Sequence, residues 1–240
     1  MKPEYWLRAK RALAKRDPVM ARIMREHPKV FLAPRGDPFF TLARAIVGQQ
    51  ISVKAAQSVW NRVVACVGEV APDRVLAKDR KTLRACGLSD RKTEYIADLA
   101  QHFADGAIHV HRWPEMADEE IIAELVEVRG IGRWTAEMFL MFNLLRPDVF
   151  PLDDLGLQKG ICVSYFKGRK VALRLVRRWI SSVMSVAESS CTKRSSSMRF
   201  SSSAMGCSNS RKVVFIGRGG FYPFGGGSTS TRLRPAPLPA

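Results

Sequence analysis

Two apolar helical patterns meet at Gly130-Ile131-Gly132, inside the stretch from Val126 to Asp154, and no other part of the chain limits the fold so tightly. Glycine admits positive φ and lets two backbones approach closely. The spacing therefore predicts a helix, a very tight turn and a second helix starting at Arg133. The first N–H groups of that helix, and the positive end of its dipole, then face outward beside a turn that carries no polar side chain, which suits a phosphate. Nothing in the turn can read a base, so a nucleic-acid backbone would be gripped there without sequence preference. An ordinary helical hairpin with a glycine C-cap has the same local pattern, and only residues further along the chain separate the two.

About twenty residues downstream stands Phe150-Pro-Leu-Asp-Asp154. Arg129-Gly-Ile-Gly-Arg-Trp-Thr-Ala136 with that segment behind it resembles the helix-hairpin-helix DNA glycosylase superfamily, with its Gly/Pro-rich loop and aspartate, and is most similar to the 3-methyladenine-DNA glycosylase II branch. A second match is Phe39-Phe-Thr-Leu-Ala-Arg-Ala-Ile-Val-Gly-Gln-Gln-Ile-Ser52, similar to that branch's Gly-Gln-Gln segment. The resemblance covers residues 36–170. It implies an all-α fold, a compact helical domain whose DNA-facing cleft lies between the Gln-Gln corner and the hairpin.

Removing a base from DNA requires extruding the nucleotide, holding the base and stabilising an electron-poor sugar as the C1′–N bond breaks. The resemblance assigns a residue to each requirement. Gly130, Ile131, Gly132, Arg133 and Thr135 would anchor the backbone, with Gln49 and Gln50 on the DNA side of the corner and Gln50 at the wedge position. An amide there can hydrogen-bond the orphaned partner base; alternatively the two glutamines are a solvated polar connection. Asp154 aligns with the catalytic aspartate. It sits with Asp153 at a helix start, where the dipole favours negative charge, and an ionised carboxylate can stabilise an oxocarbenium-like transition state or orient a water. Taken without the hairpin, both acids would simply cap a helix.

Trp134 occupies the hairpin position that carries a nucleophilic lysine in bifunctional relatives. Tryptophan cannot attack the sugar. The resemblance thus implies a monofunctional enzyme of base excision repair that hydrolyses the N-glycosidic bond of alkylated purines such as 3-methyladenine, with Trp134 stacking on the extruded base. Core packing of Trp134 is the alternative. The family's hairpins also hold a monovalent cation, Na+ or K+, through backbone carbonyls, and Val126, Val128 and Ile131 match; no other cofactor is required. The partner implied is double-stranded DNA containing alkylated bases, bound by a monomer. A different class of function, a non-catalytic helix-hairpin-helix DNA-binding protein, is implied if the helices that close the domain are lost.

Composition narrows the setting. No apolar run approaches the ~20 residues of a membrane span and the N-terminus is too polar for a signal peptide, so a soluble, cytoplasmic protein of bacterial type, nucleoid-associated when bound to DNA, is expected. Five scattered cysteines have no C-x-x-C spacing, which argues against zinc, disulfides or an iron–sulfur cluster. Four histidines lack ligand-like spacing, and His109-Val-His111 reads as a surface turn. The net charge of +17 is uneven: residues 161–240 carry fourteen Lys/Arg and one acid, whereas residues 1–160 carry twenty-five and twenty-one. The high pI therefore describes mainly the tail.

In chain order, residues 1–35 have helical periodicity broken at Asp17-Pro18, too short for a separate domain and expected to pack on the core. Asp37 and Ser52 read as caps of the two helices flanking the Gln-Gln corner. Residues 72–113 read as two short helices, started at Pro72-Asp73 and Ser89-Asp90, and Asp118-Glu-Glu120 starts the helix leading into the hairpin. The resemblance runs on through Leu155-Gly-Leu-Gln-Lys-Gly160 and Val163-Ser-Tyr-Phe-Lys-Gly168, then dissolves. Residues 181–210 contain thirteen serines and no acid follows Glu188. Such composition reads as a disordered Ser/Arg/Gly-rich tail over 171–240, either natural or translated from a shifted frame beginning near residues 170–180.

Overall fold

The computed structural model describes residues 2–169, 171, 174 and 175; the expectations for the Ser/Arg/Gly-rich tail fall outside them. Over residues 2–169 the chain forms ten helices and no strand: α1 (Trp6–Arg16), α2 (Pro18–Glu26), α3 (Pro38–Gly48), α4 (Val53–Val67), α5 (Pro72–Leu76), α6 (Arg80–Ala85), α7 (Asp90–Ala104), α8 (Asp118–Val126), α9 (Arg133–Phe142) and α10 (Leu155–Tyr165). No helix among the described residues is long and apolar enough to cross a membrane.

Short polar side chains start most of these helices by accepting the N–H groups that have no partner within the first turn. Asp17 takes those of Val19 and Met20, Asp37 that of Phe40, Ser52 that of Ala55 and Ser89 that of Lys92. Residues 72–113 hold three helices rather than two. The additional start is Asp79, whose carboxylate accepts the Thr82 N–H at 2.7 Å and opens α6. The last helix of the three, α7, is also fifteen residues long rather than short.

One core unites α3 to α9. Phe39, Leu42 and Ile46 of α3, Trp60 and Val63 of α4, Leu83 of α6, Ile96 and Leu99 of α7, Ile121 and Leu125 of α8 and Phe139 and Leu140 of α9 are buried together. Helix α7 runs through its middle, packing on α3, α5 and α6. The N-terminal pair makes a cluster of its own from Trp6, Met20, Ile23 and Met24, and α10 a third from Leu157 and Ile161.

Two tyrosine hydroxyls tie the N-terminal pair to the rest. Tyr5 donates to the Leu145 carbonyl at 2.8 Å, and Tyr165, at the end of α10, donates to Asp17 Oδ2 at 2.5 Å. Asp17 thus spends one oxygen capping α2 and the other holding α10. Burial and the adjacent carboxylate push the Tyr165 phenol up, so it remains a donor at any ordinary pH. Tyr165→Phe removes this link at a cost of about 1 kcal/mol. The expected result is faster amide hydrogen exchange across residues 18–26 with the α3–α9 core unchanged; uniform exchange across both would contradict the division into clusters.

Candidate nucleic-acid interface and active site

The turn between α8 and α9 is built as the sequence suggests in outline, but its two glycines do different work. Gly130 has φ +86°, and a Cβ there would come within 2.2 Å of the Tyr95 ring on α7. No L side chain fits. Gly132 is extended at φ −93° and ψ 170°, and a Cβ there would meet no protein atom within 4 Å. Neither backbone geometry nor packing requires glycine at 132. The space it leaves open lies at the N-cap of α9, where no side chain caps the helix.

Ile131 and Val128 are buried beneath this turn, with the Ile131 N–H donating to the Val128 carbonyl at 3.0 Å. Arg133 projects from the first residue of α9, but its guanidinium is occupied. It holds both oxygens of Glu119 at 2.9 and 2.5 Å and Glu137 Oε1 at 3.0 Å. Burial pushes the Glu137 carboxyl up and Arg133 partly offsets it. Arg133 and Trp134 are exposed and Thr135 is half-buried, at a helix start that no side chain caps.

The Gln-Gln corner touches the turn directly. Gln49 points its amide into the protein and donates from Nε2 to the Gly130 carbonyl at 2.8 Å, while Lys92 Nζ donates to the Val47 and Gln49 carbonyls at 2.8 and 2.7 Å. Gln50, by contrast, is exposed, with φ +57°. A non-glycine residue held in the left-handed region costs on the order of 1 kcal/mol or more. Corner and turn are thus in direct contact through Gln49.

Helix α7 is the shared backing of corner and turn. Lys92 holds the corner, Tyr95 covers Gly130, and Asp98 Oδ2 accepts the Arg129 N–H at 2.8 Å. The three residues recur every three positions and so lie along one side of the helix. Sequence reasoning missed them, although that spacing was visible; it also missed the ion-pair partners Glu119 and Glu137.

Asp154 stands at the other side of the hairpin. It is the N-cap of α10, with Oδ1 accepting the Leu157 N–H at 2.6 Å, and its Oδ2 accepts the indole N–H of Trp134 at 3.0 Å. The carboxylate is half-buried, and Trp134 is 47% exposed. Trp134 is neither core packing nor simply a stacking platform: its edge is bonded to the acid while much of its surface is open. Asp153 is exposed, and its charge acts on Glu137. His109 is bonded to Glu124 at 2.8 Å, and no group of side chains among the described residues is arranged to hold a metal ion.

The two glycines make a paired prediction. Gly130→Ala forces a left-handed alanine against Tyr95 and lowers stability by about 2 kcal/mol or more, whereas Gly132→Ala costs less than about 1 kcal/mol. Denaturant melts of the two variants check this, and equal losses would contradict it.

Comparison with known proteins fits this geometry. The family model described as "HhH-GPD superfamily base excision DNA repair protein" matches residues 43–182. DNA-3-methyladenine glycosylase 1 of Schizosaccharomyces pombe is 38% identical over 128 residues, 52% of this chain and 56% of that protein. The DNA-3-methyladenine glycosylase of Saccharomyces cerevisiae is 41% identical over 134 residues, 52% of this chain and 45% of that one. This chain spans about half the length of the curated relatives it matches. Among solved structures, the S. pombe 3-methyladenine DNA glycosylase in complex with abasic DNA superposes with a TM-score of 0.64 at 29% identity, covering 71% of this chain and 86% of that one. With more than half of its length matched by the family model and its helices in the same arrangement, the chain belongs to the HhH-GPD superfamily of base excision DNA repair proteins.

Proposed function

We propose that this protein is a monofunctional DNA glycosylase that binds duplex DNA, extrudes an alkylated purine and hydrolyses its N-glycosidic bond. The observation that carries the reading is the 3.0 Å hydrogen bond from Trp134 Nε1 to Asp154 Oδ2, which sets a half-buried carboxylate beside the turn with open space at Gly132. The names of the relatives, DNA-3-methyladenine glycosylases in bacteria and yeasts, support the substrate class.

The chemistry can be derived from the residues present. The backbone N–H groups at the start of α9 bind a phosphate on the flank of the damaged nucleotide. Gln50, exposed on its strained backbone, enters the duplex and occupies the position of the extruded nucleotide. A cationic alkylated purine leaves without prior protonation, carrying off the electrons of the C1′–N bond. The sugar becomes oxocarbenium-like, and Asp154 stabilises that charge at short range. Water then adds to C1′ with loss of a proton, leaving an abasic site. The indole and Leu157 N–H groups fix both carboxylate oxygens in direction without neutralising them. No amine at position 134 can form a covalent adduct, so the strand stays uncut.

The carbonyl of Val126 ends α8, where the helix dipole is negative, those of Val128 and Ile131 follow it in the turn, and their chemistry fits a monovalent cation. Such an ion would add positive charge next to the phosphate. The protein acts as a monomer, one per lesion.

The test is base release from alkylated duplex DNA. Wild type releases alkylated purines and leaves strands that break only on alkali treatment. Asp154→Asn keeps duplex binding and loses release by about 10²-fold or more; undiminished release by this variant would end the proposal, and duplex binding without release by either protein would favour a non-catalytic DNA-binding role. Trp134→Phe, which removes the N–H donor to Asp154 together with part of the indole's π surface, lowers the release rate by about tenfold, equivalent to ~1.4 kcal/mol. Gly132→Ala weakens duplex binding instead.

A further inference from the structure

The described part of the protein is divided electrically. Residues 1–35 carry ten Lys/Arg and three Asp/Glu, a net charge of +7, whereas residues 36–160 carry fifteen and eighteen, a net charge of −3. The cations around the hairpin are engaged within the protein as well: Arg133 by Glu119 and Glu137, Arg129 by Glu94, Lys92 by carbonyls, Arg146 by Asp118. A core with this balance offers little long-range attraction to a polyanion.

The positive charge is concentrated instead on α1 and α2. On α1, Trp6 and Ala9 are buried, and Arg8, Arg11 and Lys15 lie on the opposite side of the helix. On α2, Met20, Ile23 and Met24 are buried, and Arg22 and Arg25 are exposed opposite them. None of these five takes part in an ion pair among the described residues. Only Arg8 and Arg22 have an acid at i±4, Glu4 and Glu26, and neither forms an ion pair with it, whereas Arg11, Lys15 and Arg25 have no acid at that spacing.

The pair is also placed with respect to the site. Tyr165 holds Asp17, the N-cap of α2, at one end of α10, and Asp154 is the N-cap at the other. Eleven helical residues span about 16 Å, comparable to about five steps of duplex at ~3.4 Å each. A lipid surface is a poor match, because an interfacial helix must free its apolar face to insert, and Trp6, Met20, Ile23 and Met24 already bury theirs in a shared cluster.

We propose that the outward basic ridges of α1 and α2 are an accessory, sequence-independent contact for the phosphate backbone of duplex DNA, flanking the nucleotide at Asp154. This rests on the glycosylase reading for its partner, and it supplies the electrostatic attraction that residues 36–160, with a net charge of −3, lack. It predicts that a substantial part of the duplex affinity, and of its salt dependence, comes from Arg8, Arg11, Lys15, Arg22 and Arg25.

The experiment compares the full chain with two variants, Arg8→Gln/Arg11→Gln/Lys15→Gln and Arg22→Gln/Arg25→Gln. Binding to undamaged duplex is measured from 50 to 200 mM KCl. The slope of log Kobs against log[KCl] falls in magnitude by about 0.9 for each phosphate no longer neutralised, so a drop of about two to four is expected with both sets combined. Arg-to-Lys and Lys-to-Arg exchange at the same positions keeps the slope, and Lys78→Gln/Lys81→Gln, which removes two core charges, leaves it unchanged. Unaltered slope and affinity in the combined variant, with circular dichroism matching wild type, would overturn this proposal alone. Absence of duplex binding by the wild type at every salt concentration would overturn both it and the glycosylase reading.

Discussion

The hydrogen bond between the Trp134 indole and the Asp154 carboxylate joins two parts of the chain that do not share a hydrophobic core. Trp134 stands on α9, rooted in the large cluster, and Asp154 on α10, rooted in a small one. A carboxylate on a peripheral helix can serve a reaction only if its direction is set against the element that grips the substrate. Here one oxygen is fixed by the helix it caps and the other by the helix that begins at the turn. Everything proposed for the site depends on that shared orientation.

A second constraint lies beneath it. The corner and the turn meet the same side of α7 through Lys92, Tyr95 and Asp98, and each other through Gln49. Burial lowers the Lys92 ammonium's proton affinity, but both of its contacts are carbonyls at the end of α3, which favour a cation. The result is a rigid spacing between the exposed Gln50 and the open N-cap of α9. Strain at Gln50 is sustained because Gln49 is bonded on one side and Ser52 caps α4 on the other. The charges around this machinery are paired or bonded within the protein, and the excess positive charge of the described residues lies on the N-terminal pair.

Much of the fold was legible because its signals are local. Asp17, Asp37, Ser52 and Ser89 announce helix starts within three residues of the N–H groups they accept, and the apolar periodicity of α3, α4, α8 and α9 matches the faces they bury. The helix at Asp79 was missed because α5 and α6 are each barely a turn and a half, too short for periodicity to show. The site was legible as a pair of motifs but not as an arrangement. Gln49 and Gln50 read alike in sequence, yet one turns inward to a carbonyl eighty-one positions away and the other faces solvent. Likewise both glycines of the turn looked conformational, and only the space around them separates a glycine required by Tyr95 from one that leaves room for something outside the chain. Contacts of this range have no local signature.

If the site works as proposed, the Asp154 carboxylate faces the sugar of an extruded nucleotide with its negative charge intact. Comparing affinity for duplexes that contain a pyrrolidine abasic analogue, cationic at the sugar position, with affinity for the neutral tetrahydrofuran analogue isolates that charge. At least tenfold tighter binding of the cationic analogue is expected, about 1.4 kcal/mol, abolished in Asp154→Asn. Equal affinity for the two analogues in the wild-type protein would contradict it.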